Sequence, residues 1–186
     1  MSCAFMKDEN GNPTAVKIED TNFVPWFKNN PNFQGDPDRD NYGSNARKGD
    51  IFIPDLDFAA ELADLGVNVH YTKPQEGHEE DFVEQAYVTI QANFNHNEGE
   101  EWKNPNIYHV IDGKPPVKLD VVTVGNIDRM RIKNVHFVAN IYHSKKHPGH
   151  ATLYIRTMYV EQEVDSDPFY NRFHNVEPTD RIPFDE

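Results

Sequence analysis

Apolar positions along the chain follow two periods, and the period of two dominates. Over residues 82–94, Phe82, Glu84, Ala86, Val88, Ile90, Ala92 and Phe94 share one face. Val83, Gln85, Tyr87, Thr89, Gln91 and Asn93 share the other. That contrast predicts a strand with one face buried. Residues 131–142 repeat it, with Lys133, Val135, Phe137, Ala139 and Ile141 opposite Ile132, Asn134, His136, Val138, Asn140 and Tyr142. Residues 150–164 predict a last long strand, with Leu153, Ile155, Thr157 and Tyr159 opposite Thr152, Tyr154, Arg156, Met158 and Val160. Shorter strands are predicted over 14–20, 51–53, 67–71, 107–111 and 117–122, the last two joined by a turn at Asp112 and Gly113. Helical spacing occurs once. Phe58, Leu62 and Leu65 follow a capping Asp55, and Gly66 ends the run.

The remaining segments keep no period. Residues 1–12 are polar and read as frayed. Residues 21–50 are rich in Asn, Asp, Gly and Pro, which is loop chemistry, yet they carry Phe23, Trp26, Phe27, Phe33 and Tyr42. A long loop studded with aromatics is functional or packed under itself. Residues 72–81 form an acidic loop, 95–106 a polar one holding Trp102, and 121–128 a turn or short helix. Six to eight strands and one helix predict a mostly β fold. The expected form is an OB-like small antiparallel barrel or curled sheet. It spans 1–160 and is followed by a flexible, acidic tail over 161–186.

Composition narrows the picture. Only 37% of the 186 residues are hydrophobic, but 12% are aromatic, which predicts a compact core under long polar loops. No apolar run approaches the roughly 18 residues of a membrane span, and the first residues lack the pattern of a secretion leader. Cys3 is the one cysteine, so neither an internal disulfide nor a four-cysteine zinc site can form, and a reducing, cytoplasmic setting is expected. The net charge of -13 argues against simple adhesion to polyanions. Its distribution argues otherwise. Residues 103–160 hold nine basic and three acidic side chains, whereas 161–186 hold two basic and eight acidic. A basic block between acidic ones is the pattern of an interaction surface beside an interaction tail.

Chemistry for catalysis is thin. The chain has no phosphate-binding Gly loop before a helix and no nucleophile elbow. His143, His147 and His150 straddle a predicted turn and read as solvated rather than as ligands. Glu79, Glu80, Asp81 and Glu84 read as a solvated acidic loop, without the punctuation of a calcium site. Neither cofactor nor metal is expected.

Sheet-borne aromatics interleaved with Lys and Arg suit the stacking of single-stranded bases. The basic block supplies Arg129, Arg131, Lys133, Lys145, Lys146 and Arg156, with Tyr142 and Tyr154 beside them. The long loop adds Trp26, Phe27, Phe33 and Tyr42 with Arg39, Arg47 and Lys48. Phe52 and Phe137 read as core. For Trp26, Phe33, Tyr42 and Trp102 core packing and base stacking stand as equal readings, and all four join the candidate site.

The last residues, Asp180-Arg181-Ile182-Pro183-Phe184, resemble the C-terminal tip of bacterial and phage single-stranded-DNA-binding proteins, although Asp185 and Glu186 follow Phe184 here. Asn41-Tyr42-Gly43, Arg47-Lys48, Asp57-Phe58-Ala59, Leu65-Gly66-Val67-Asn68-Val69, Arg131-Ile132-Lys133-Asn134-Val135 and Thr157-Met158-Tyr159-Val160, in that order, resemble small phage-encoded proteins of the same kind. The resemblance implies an OB-type barrel and a non-catalytic role in phage DNA replication or recombination. It implies single-stranded DNA as ligand, no membrane, and a host-cytoplasmic setting. Asp180, Ile182, Pro183 and Phe184 would capture a replication or recombination protein, and a homo-oligomer is left open. The alternative is an acidic inhibitor or DNA mimic directed at a host nuclease or defence protein.

Overall fold

The structure is a computed structural model and describes residues 2–74 and 76–163. In chain order it forms β1 (Ser2–Lys7), β2 (Pro13–Thr21), β3 (Arg47–Ile53), α1 (Leu56–Asp64), β4 (His70–Tyr71) and β5 (Ala86–Ala92). β6 (Asn106–Val110), β7 (Val117–Leu119), β8 (Ile132–His143) and β9 (Ala151–Gln162) follow. Short 3-10 turns lie at Pro37–Arg39, Glu79–Asp81, Glu101–Lys103 and Val124–Arg129. The expected mostly β class with one main helix holds, and the sheet is open and curled.

The long strands organise everything else. β8 and β9 form an antiparallel hairpin, β2 lies along the other edge of β8, and β1 closes that end. The remaining edge of β9 is shared. Its first half pairs in parallel with β5 through Leu153 and Tyr154, and its second half with β6 through Thr157 to Glu161. β3 pairs antiparallel with β5 and ends the path β1-β2-β8-β9-β5-β3. The segment just after β2 then meets β3 at an isolated bridge between Phe23 and Ile51, where the Val24 N–H donates to the Asp50 carbonyl and the Phe52 N–H to that of Asn22.

Curling turns one face of every strand inward. Val16, Ile18, Ile51, Val88, Ile90, Val135, Phe137, Leu153 and Met158 fill that space. Helix α1 plugs one side with Phe58, Ala59 and Leu62. Asp55 caps it by accepting from the Asp57 and Phe58 N–H groups. Its other end is fixed at Gly66, whose φ of +96° and 2.3 Å approach of the Gly149 carbonyl oxygen to any added Cβ leave room for glycine alone.

Five expectations change. Residues 2–7 form a strand rather than a frayed end, because Phe5 stacks on Phe58 at 4.4 Å and pays for an edge strand that polar neighbours disguise. The strand expected over 82–94 is shortened to Ala86–Ala92, since Pro54 ends its partner β3, whose last pair is Ile53 with Ala86. The strand expected over 67–71 shrinks to His70–Tyr71, although Val67 still bridges Ala151. In β9 the pairing skips from Thr157 opposite Val138 to Ile155 opposite Ala139, so Arg156 is an extra residue. This bulge reverses the later half of the expected alternation. Met158 and Val160 are buried, and Tyr159 joins Tyr154 on the outer face. β9 also runs to Gln162, beyond the boundary expected at 160.

Candidate nucleic-acid interface

The antiparallel pair β3–β5 presents its polar face outward, and its register sets three rows. Phe52 faces Tyr87, Asp50 faces Thr89, and Lys48 faces Gln91. The third row continues through Tyr154 on β9 to Asn140 on β8. Residues 22–46 fold over this face and are held by side chains that replace a ladder. The Asn30 amide donates to the carbonyls of Val24 and Asp50 and accepts from the Asp50 N–H. Asn32 and Lys48 exchange both backbone hydrogen bonds. The loop thereby suspends Trp26 and Phe27 above the first row. Trp26 lies 5.6 Å from Phe52, Phe27 meets Tyr87 edge-on at 5.0 Å, and His70 stacks on Tyr87 from the far side. Burial and the Asp50 carboxylate push the Tyr87 phenol upward.

Three clefts follow this strip. A cleft of about 470 Å³ opens between Trp26, Tyr42, Lys48 and Asp50. A second, of about 390 Å³, contains Arg47, Gln91, Phe94 and Tyr154. A third, of about 490 Å³, lies between Phe94, Trp102, Lys118 and Leu119. Lys48 lines the first cleft and its chain neighbour Arg47 the second, from opposite faces of β3, and Phe94 lines both of the last two. Trp26 is 57% exposed, Tyr42 94% and Trp102 78%, which assigns these three to the surface. The Lys103 ammonium sits 5.3 Å from the Trp102 ring centre.

The loop cations serve the loop itself. Lys48 pairs with Asp40 at 2.7 Å. That contact and the N–H groups of Ser44 and Tyr42 hold the Asp40 carboxyl at about 2. Arg39 pairs with Asp128 at 3.0 Å. Asp128 also accepts from the N–H groups of Phe33 and Gln34, tying the loop to the Val124–Arg129 turn. Burial pushes the Asp128 carboxyl upward, against the pull of those donors. Arg47 donates to the Phe33 carbonyl at 2.7 Å and lies over the Phe94 ring.

Phe33 is corrected: it is wholly buried and meets Phe23 edge-on at 5.7 Å, so no base can reach it. Phe52, expected in the core, is half-buried on the outer face under Trp26. The basic block does not gather at one place. Tyr142 and Tyr154 meet edge-on at 5.8 Å, Arg156 donates to the Asn140 side chain, and Lys145 and Lys146 are exposed on the adjoining turn. Arg129, Arg131 and Lys133 lie at the opposite end of β8, roughly 35 Å from Tyr142 at the rise of an extended strand. Arg131 there pairs with Glu163 at 3.8 Å. Lys133 is the extra residue of a second bulge, between Ile132 and Asn134. His147 and His150 stand ring to ring at 6.3 Å.

Phe27 belongs to the strip as expected of the loop aromatics, and Phe52, Tyr87 and Gln91 join it although the sequence does not place them in the site. For Tyr87 and Gln91 the signal was present: an aromatic and an amide on the polar face of a strand. Phe52 offers none, because its apolar neighbours mark it as core. The tail residues Asp180, Ile182, Pro183 and Phe184 lie outside the described residues. No helix among the described residues is long and apolar enough to cross a membrane. Comparisons with family models, curated proteins and solved structures find no match to this chain.

Proposed function

We propose that the chain binds single-stranded DNA without catalysis, laying the strand along the outer face of β3 and β5 from Trp26 to Trp102. The observation that carries this reading is the run of three adjoining clefts, rimmed by exposed Trp26, Tyr42 and Trp102 and floored by Lys48, Gln91 and Tyr154. Aromatic platforms beside cations are what a sequence-tolerant single-strand site requires. Strand order supports it too. β2, β3, β5, β9 and β8 follow one another around the curl, with β5 and β9 the parallel pair within that ring. An OB-type barrel binds through its second and third strands and through its first and last loops. The matching parts here are β3, β5, the loop 22–46 and the turn 144–150 with Lys145 and Lys146. The proposal places the protein in phage replication or recombination, with the acidic tail as the handle for a protein partner.

Fluorescence anisotropy of labelled oligo-dT and duplex, across a salt series, tests the reading. Oligo-dT is expected to bind in a salt-sensitive way, tighter than duplex. Absence of oligo-dT binding at low salt overturns it. The net charge of -13 then favours the acidic-mimic reading, which inhibition of a nuclease by the protein would support.

A further inference from the structure

Trp26 has a second side. It also lines a second pocket, of about 450 Å³, with Phe27, Tyr71, Phe82, Val83 and Tyr87. Val83 is 76% exposed and Tyr71 40%, so apolar surface is offered to solvent at the pocket mouth. Lys73, His78 and Asp81 also line it. The volume suits one large side chain, within the usual range of about 300–1,000 Å³ for ligand sites.

Charge decides what kind of molecule enters. The segment that forms the mouth, 71–85, holds Lys73 against Glu76, Glu79, Glu80, Asp81 and Glu84. Glu79, Glu80 and Asp81 are exposed on one 3-10 turn beside Phe82. A DNA backbone carried past Trp26 would set its phosphates against these carboxylates. The other cleft that Trp26 lines holds Lys28, Arg39 and Lys48 against Asp40 and Asp50. The indole therefore stands between a face of nearly balanced charge and a distinctly acidic one, and the acidic one repels phosphate.

We infer that this aromatic pocket docks a basic protein segment, with one aromatic or branched aliphatic side chain inserted beside Trp26 and flanking Lys or Arg residues paired with the carboxylate rim. Complementarity of this sort fixes register and excludes acidic competitors. The pocket shares Trp26, Phe27 and Tyr87 with the DNA strip, whereas Tyr71, Phe82, Val83 and the carboxylate rim are its own, so changes at those residues test it independently of DNA binding.

The test uses the full chain and two labelled probe peptides, Lys-Lys-Phe-Lys-Lys and Glu-Glu-Phe-Glu-Glu, followed by anisotropy. The basic peptide is expected to bind at least tenfold more tightly than the acidic one. Tyr71→Ala is expected to weaken it about fivefold, and the triple change Glu79→Lys, Glu80→Lys, Asp81→Lys to abolish the preference. The triple variant changes only exposed side chains, and thermal melting checks that it folds. Oligo-dT affinity is expected to be unchanged by Tyr71→Ala, which separates this site from the strip. Equal binding of both peptides, a preference that survives charge reversal, or loss of oligo-dT binding in Tyr71→Ala would overturn the inference. Self-association that the triple change abolishes would assign the pocket to a second copy and overturn it as well.

Discussion

The β8–β9 hairpin and the loop 22–46 hold their shapes by different means. The hairpin is a ladder. Its backbone groups pair strand to strand, and Val135, Phe137, Leu153 and Met158 anchor it in the core. The loop's backbone pairs with β3 at Asn22, Val24 and Asn32 and closes short turns within itself, and it relies on the Asn30, Asp40 and Asp128 side chains for the rest of its ties. Ladder bonds are cooperative and indifferent to side-chain chemistry. Side-chain clamps are individually removable, and two of these depend on a carboxylate staying charged. A loop held in this way can present Trp26 and Tyr42 to solvent at fixed positions without burying them.

The comparison breaks most sharply at Phe33. Phe33→Ala is expected to lower unfolding free energy by about 3–5 kcal/mol, because a fully buried ring is removed. Chemical denaturation reads this. A loss below about 1 kcal/mol would make the loop a passenger on the ladder rather than part of the core. Asp128→Ala comes next. It leaves Arg39 and two backbone N–H groups without their acceptor, a loss on the order of 3 kcal/mol. Trp26 emission, followed during the same unfolding experiment, should show the loop loosening before the hairpin. Simultaneous transitions would contradict the distinction drawn here.

Smaller effects concern binding. Trp26→Ala is expected to weaken oligo-dT binding by about 1–3 kcal/mol while leaving the melting temperature nearly unchanged. A fall in melting temperature without loss of affinity would return Trp26 to a structural role. Lys48→Ala should flatten the slope of log affinity against log salt by roughly 0.7, the increment for one phosphate on a single strand. Arg131→Ala, far from the clefts, should leave that slope alone. The reverse result would move the DNA path to the other end of β8.

The smallest effect is a titration. Asp40 is held at about 2, below its ordinary value of 3.8. A carboxyl depressed in the folded state stabilises it above the unfolded pKa and stops doing so as pH falls through the folded one. Acidification from about pH 4 to pH 2 should therefore release the Lys48–Asp40 clamp. The backbone amides of Tyr42 and Ser44, followed by NMR, should shift over that window while those of Val135 to Ile141 stay in place. Concerted shifts in both regions would indicate global unfolding instead.

The sequence by itself determined the strands that alternate, the capped helix between Asp55 and Gly66, and the turns after Ile111 and Tyr142. Each of these depends on neighbours a few residues away, where side-chain periodicity and turn chemistry act directly. It also pointed to Trp26, Tyr42 and Trp102, because large aromatics among polar neighbours have little to pack against. It misjudged Phe33 and Phe52, whose burial depends on partners distant in the chain: Phe23 and the Asp128 clamp for one, the overlying Trp26 for the other. Tertiary structure alone decided that β9 divides its edge between β5 and β6, since parallel pairing leaves no local mark. It alone decided that Arg156 is an extra residue that turns Tyr159 outward and Met158 inward. Bulges and parallel pairs are set by the register in which whole strands fit a curled sheet. That register reflects the summed burial of many side chains rather than any property of the residues on either side.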